Sequence, residues 1–140
     1  MSDTTPTTPD VHEPRSRAMI VLLVVLALEF AALVVVTVVL LVEVLVSPAT
    51  SLASGIALTV LTAIAALWLG SMLVGLWHRR AWVRSGIIVW QVMQGALAIG
   101  AFQGVFRVPT VGWALLIPAL LAITLVLSKS VTSALARRVE

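Results

Sequence analysis

The sequence predicts an all-α membrane protein in which four transmembrane helices form an up-down-up-down bundle with both termini in the cytoplasm. Of its 140 residues, 61% are hydrophobic and 11% are charged, whereas soluble domains are about 45–50% apolar and about 25% charged. The apolar residues fall into four long runs, and the polar links between those runs alternate between basic and nearly charge-free. A chain of this length has room for one compact unit.

The first 46 residues comprise a tail and the first span. Residues 1–17 are polar and contain three prolines, which predicts a disordered cytoplasmic tail. The run at about 18–46 is rich in Val and Leu and would favour a β-strand in water. Since hydrocarbon offers peptide groups no hydrogen-bond partner, a spanning run of this length has to be helical. About 20 residues suffice to cross, so we expect this helix to tilt or to project past the headgroups.

The other three spans are predicted at about 52–77, 85–104 and 112–128, which extends the transmembrane domain over 18–128. A turn around Pro48 separates the first two spans, because proline disfavours helix in the residue before it. Pro118 lies inside the last span, where neighbouring helices tolerate it and a kink is expected. Residues 129–140 are predicted to form a basic cytoplasmic tail, with a helix along the membrane surface.

The basic residues orient these spans. In short loops, an excess of Lys and Arg marks the cytoplasmic side. Eight of the nine lie in the two tails and in the link between spans two and three: Arg15, Arg17, Arg79, Arg80, Arg84, Lys129, Arg137 and Arg138. The ninth, Arg107, lies in the link between spans three and four. Both termini and the central link are therefore predicted to be cytoplasmic.

Glu29 is the ionisable residue placed deepest in a predicted span. It follows Arg17 by twelve positions, or roughly 18 Å along a helix, which is close to the middle of a bilayer. A carboxyl group at that depth has to face protein or water, or be protonated. Gln91 and Gln94 share a face of span three at a similar level. We therefore predict an intramembrane polar cluster of Glu29, Gln91 and Gln94, with Ser71 as a further candidate.

Two interpretations of this cluster remain open. In the functional one, Glu29 alternates between protonated and charged forms in a proton-linked or cation-binding site. In the structural one, a neutral Glu29 forms hydrogen bonds across helices, worth about 0.6–2 kcal/mol of association. The structural interpretation is favoured, because no second ionisable residue lies at this depth.

Glu43 and Arg107 form a candidate ion pair near the opposite boundary of the membrane. Glu43 lies fourteen positions beyond Glu29 and nearly on the same helix face. Exposed pairs of this kind contribute about 0–1 kcal/mol, so two independently solvated charges are an equal alternative.

The residue inventory argues against catalysis. The chain has no Cys, and His12 and His78 lack the spacing of a metal site. The sequence contains neither a glycine-rich phosphate loop nor a plausible nucleophile with its base. We therefore predict no enzymatic activity, no cofactor and no metal. The basic residues flank apolar runs and suit anionic headgroups rather than nucleic acid.

Three segments carry a resemblance to known proteins. They are RAWVRSGIIVWQ at 80–91, FQG at 102–104 and VGWALLIPA at 111–119. They resemble small four-span integral membrane proteins of high-GC Gram-positive bacteria, whose function is unassigned. The resemblance covers about residues 18–128 and implies a bacterial plasma membrane, without supplying site residues.

A second family is similar in size and in one feature. Small multidrug resistance exporters are four-span proteins with an acidic residue midway along the first helix, and LALE at 26–29 is similar to that placement. However, the chain has no Tyr, whereas that family uses aromatic residues including Tyr around its substrate. The strong Lys and Arg bias also opposes a dual-topology dimer.

The sequence thus favours a structural or accessory protein that contacts the lipid bilayer and either itself or another membrane protein. The pattern GAFQG at 100–104 is a GxxxG match through which helices could approach closely. The alternative function is a small proton-coupled carrier that uses Glu29.

Overall fold

The chain is described here by a computed structural model that covers residues 17–46, 52–104 and 108–136. Its elements are five helices: α1 (Arg17–Val46), α2 (Leu52–Trp77), α3 (Val83–Gln103), α4 (Pro109–Val126) and α5 (Lys129–Ala136). The first four are long and apolar enough to cross a membrane. The predicted all-α fold with four such helices is therefore confirmed.

Two helices begin earlier than hydropathy alone predicts. α3 starts at Val83 rather than near Ser85, and α4 starts at Pro109 rather than near Gly112. Proline suits the first turn of a helix, since the peptide N–H groups of that turn have no intrahelical acceptor. Pro118 lies within α4, which stays helical on both sides of it.

α1 and α2 form an antiparallel hairpin with close contacts at two levels. A Cβ atom on Gly55 would lie 2.8 Å from a methyl carbon of Val44, and one on Gly70 would lie 3.0 Å from the Phe30 ring. Residues near the end of α1 therefore meet the start of α2, and residues midway along α1 meet the later part of α2. The glycines let the larger side chains of α1 pack directly on the α2 backbone.

α3 and α4 form a second antiparallel hairpin. Phe102, near the end of α3, lies against Gly112 in the first turns of α4. Its ring also meets Trp113 edge-on, with centroids 5.5 Å apart and planes at 78°. This is a favourable arrangement for two aromatic quadrupoles.

A tight turn joins the two hairpins. Arg79 adopts a left-handed conformation, with φ of 54°. Its N–H donates to the carbonyl of Leu76, and the N–H of Arg80 donates to the carbonyl of Gly75. These two bonds form a Schellman motif, which satisfies carbonyls that the helix end leaves unpaired. α2 therefore stops abruptly, and α3 folds back beside it.

The core lies on the side of the α2–α3 turn. Its largest fully buried side chains come from all five helices: Met19, Leu22, Leu26, Leu69, Met72, Leu76, Ile87, Val83, Val126, Val131 and Leu135. Among the described residues, none is buried in α1 after Leu26 or in α2 before Ala66. The two hairpins thus pack together near the turn. Toward the opposite end, α1 and α2 contribute no further buried side chains to the core.

The short helix α5 covers this core. Its Val131 and Leu135 are buried in the cluster that contains residues of α1 and α4. They are four positions apart and therefore share one face of the helix. The predicted basic tail thus begins with an amphipathic helix whose apolar face packs on the bundle.

Candidate functional site

A cleft of about 520 Å³ lies between α1, α3 and α4. Its lining positions on α1 and α3 recur every three or four residues, singly or as adjacent pairs, so each of these helices presents one face. The α1 face consists of Val25, Leu28, Glu29, Ala32, Leu33 and Val36, and the α3 face of Trp90, Met93, Gln94 and Leu97. The volume falls in the range of about 300–1,000 Å³ that is typical of small-molecule sites.

Glu29 lies in the wall of this cleft and accepts hydrogen bonds from α3. The indole Nε1 of Trp90 donates to Oε2 across 3.2 Å. The side-chain amide of Gln91 donates to the same oxygen across 3.2 Å and lies 3.5 Å from Oε1. Both donors are neutral, and a carboxylate has about four acceptor positions. The carboxylate is therefore held in place with capacity left for a further donor or cation.

Gln94 is fixed by a different helix. Its amide nitrogen donates to the backbone carbonyl of Leu115 across 3.1 Å. Leu115 lies close to Pro118, which has no N–H and so leaves the carbonyl of Ala114 without its helical donor. The Gln94 bond thus links α3 to α4 one residue away from this unpaired carbonyl.

Two amide oxygens next to Glu29 are buried without a donor. The Oε1 atoms of Gln91 and Gln94 accept no hydrogen bond from the described residues, although these side chains are only 1% and 5% exposed. A buried acceptor that lacks a donor costs about 1–3 kcal/mol. Together with the carboxylate, these oxygens make the surroundings of Glu29 rich in acceptors. Of the three groups, the Glu29 carboxylate is the charged one, and it lines the cleft, so it favours a proton, a cation or another hydrogen-bond donor there.

The structure brings both predicted glutamines to Glu29. Gln91 donates to its carboxylate, while Gln94 lies beside Glu29 in the same cleft and donates to α4. Ser71 lies apart: its hydroxyl donates to the carbonyl of Trp68 across 2.7 Å, and it lines a different groove.

Trp90 is the contact of Glu29 that sequence reasoning missed. A buried indole N–H usually has a hydrogen-bond partner. Trp90 also lies four positions before Gln94 and therefore shares its helix face. These two signals could have placed it in the predicted cluster.

The other predicted features fall outside this site. Glu43 is exposed, and its predicted partner Arg107 lies outside the described residues, so their ion pair stays a prediction. Gly100 is exposed, and a Cβ atom there would meet no atom within 4 Å. Within the part of the chain that the structure covers, no group of three or more His, Asp or Glu side chains could hold a metal ion.

Comparison of the chain with known protein families, curated proteins and solved structures gives no match. A function can therefore be argued only from the geometry of the site.

Proposed function

We propose that the protein is a small proton-coupled membrane carrier in which Glu29 exchanges a proton for a cationic ligand. The observation that supports this function is the position of the Glu29 carboxyl group in the wall of a 520 Å³ cleft. Apart from Glu29 and Gln94, the side chains that line this cleft are apolar or aromatic. Such a lining suits the apolar body of an organic cation, and the carboxylate suits its charge.

The coupling follows from the low dielectric constant around the carboxyl group. A carboxylate within hydrocarbon is costly unless a proton or a cation compensates its charge. A proton and an organic cation both act on the oxygen atoms of Glu29, so one has to leave when the other binds. Trp90 and Gln91 both donate to one of these oxygens and so fix where the exchange takes place. Exchange at one carboxyl group would therefore couple cation movement to proton movement in the opposite direction.

Equilibrium binding of tetraphenylphosphonium to the purified protein in mild detergent tests this proposal. This probe is a permanent cation with an apolar surface and has no proton of its own to lose. We expect saturable binding that weakens as the pH is lowered, because protons then compete for Glu29. We expect Glu29→Gln to lose this binding and Glu43→Gln to retain it, since Glu43 is exposed on the same helix and does not line the cleft. Affinity that is independent of pH, or equal in both variants, would show that the proposal is wrong.

A second candidate function is the accessory one that the sequence favours. Its support is that the bonds of Glu29 to Trp90 and Gln91 link the two hairpins. If Glu29 serves only this contact, Glu29→Gln should keep the fold and the cellular phenotype, because a Gln oxygen still accepts both bonds. A protein that binds no cation, yet copurifies with a second membrane protein from mild detergent, would support this function instead.

The membrane orientation is also a proposal. We infer that both termini and the α2–α3 turn lie in the cytoplasm, on the basis of the Lys and Arg distribution. That the membrane is a bacterial plasma membrane rests only on the resemblance of residues 80–91, 102–104 and 111–119 to small four-span bacterial proteins. Because the chain has no Cys, a single introduced cysteine reports directly on which side of the membrane its position lies. We expect a membrane-impermeant maleimide to label Thr110→Cys in intact cells and Ala81→Cys only after lysis, since both positions are exposed. The reverse labelling pattern would show that the α2–α3 turn lies outside the cell.

A further inference from the structure

A second groove runs along α2 and is separate from the Glu29 cleft. Its floor is a stripe along one side of α2, in which the lining positions recur every three or four residues. This stripe consists of Leu67, Gly70, Ser71, Leu73, Val74, Gly75 and His78. From Leu67 to His78 the helix rises about 16 Å, which is about half of the roughly 30 Å hydrocarbon core of a bilayer. The groove is therefore as long as one membrane leaflet is thick.

Two aromatic rings line the groove and pack over its glycines. Phe30 of α1 lines the groove and packs against Gly70. Trp82 also lines it, and its ring lies 3.3 Å from the position of a Cβ atom on Gly75. The single hydroxyl in the floor, on Ser71, already donates to the backbone. The groove therefore offers a mostly apolar surface that suits a hydrocarbon chain.

Arg80 supplies positive charge at the end of the groove that adjoins the α2–α3 turn. It lines the groove there together with His78, and both are exposed. The Nδ1 atom of His78 lies 2.8 Å from the carbonyl of Val74, so this nitrogen donates to the backbone. Trp82 is half-exposed at the same level, as expected for an aromatic residue at a membrane interface. An anionic group therefore has complementary charge at this end of the groove.

We propose that this groove binds an anionic phospholipid from the leaflet that adjoins the α2–α3 turn. One acyl chain lies along the α2 stripe from His78 toward Leu67, and the phosphate lies beside Arg80. The match between the groove length and one leaflet indicates a lipid rather than a soluble anion. The charge at the groove end indicates an anionic headgroup rather than a zwitterionic one. This inference does not depend on the carrier function, because the groove shares no lining residue with the Glu29 cleft.

Native mass spectrometry of the full chain in mild detergent tests the proposal, with phosphatidylglycerol and phosphatidylcholine as probes. We expect the wild-type protein to retain phosphatidylglycerol more strongly. Arg80→Gln should weaken this binding about fivefold, as expected for a basic residue worth about 1 kcal/mol at a membrane surface. Arg17→Gln is the matched control, because Arg17 is exposed and lies outside the groove.

A second pair of variants tests the acyl part of the groove. Val74→Trp should fill the groove and displace the lipid, whereas Val89→Trp should not, since Val89 is equally exposed on α3 but outside the groove. Far-UV circular dichroism checks that each variant keeps its helices. Equal retention of both lipids, or equal effects of Arg80→Gln and Arg17→Gln, would overturn the proposal. If Val74→Trp instead converts a dimer to a monomer with lipid retention unchanged, a second copy of the chain covers the groove and the lipid proposal is wrong.

Discussion

Replacement of Glu29 by Gln is expected to reduce proton-coupled cation flux to the level of protein-free liposomes. Gln has the same shape and can still accept the bonds from Trp90 and Gln91, so the helices should remain packed. It can neither release a proton nor carry a charge, so it offers an organic cation no counter-charge in the cleft. The variant therefore removes the exchange step and leaves the fold intact.

This result can be measured in proteoliposomes that contain a trapped pH-sensitive dye. An inward gradient of ethidium should drive proton release from liposomes that hold the wild-type protein. Glu43→Gln should stay within about twofold of wild type, because Glu43 is exposed on the same helix and outside the cleft. Glu29→Asp keeps the carboxyl group but shortens its reach, so its flux should be reduced yet remain above background. If the wild-type protein moves no protons under any cation gradient, the carrier function is excluded and the accessory function remains.

The four long helices could be predicted because hydrocarbon leaves the backbone no alternative. A run that spans a bilayer must satisfy its peptide groups internally, so composition alone identifies these helices. Their ends are less predictable, since local chemistry decides them. α4 begins at Pro109, which suits a first helical turn, and α2 ends in a Schellman motif with Arg79 in a left-handed conformation. Hydropathy carries no information about either feature.

The site could be predicted in part. The depth of a residue in the membrane can be counted along its helix, but the neighbouring helix that its side chain faces cannot. Counting placed Glu29 and Gln91 at matching levels, and the structure brings their side chains to 3.2 Å. The same count suggested Ser71, which faces a different groove because it lies on another side of α2. The cleft depends on how α4 sits against α1 and α3, and no periodicity within one helix encodes that packing.

Replacement of Gly75 by Ala is expected to destabilise the fold by about 1–3 kcal/mol, the usual cost of an overpacked core. A Cβ atom at Gly75 would lie 2.5 Å from a methyl carbon of Val83 and 3.3 Å from the Trp82 ring. Val83 is fully buried, and its branched side chain has little rotamer freedom. Relief of the overlap therefore requires α3 to move away from α2 at the turn where the two hairpins join.

Gly95→Ala is the matched control for this prediction. A Cβ atom there would meet no atom within 4 Å, and alanine in a helix interior is favoured over glycine by about 0.5–1 kcal/mol. The same substitution should thus destabilise at position 75 and be neutral or stabilising at position 95. Unfolding by SDS in mixed micelles, followed by far-UV circular dichroism, measures both. Equal stability of the two variants would mean that the turn adapts without strain. A loss at Gly75 alone would show that close packing of α2 on the start of α3 holds the two hairpins together, and with them the cleft around Glu29.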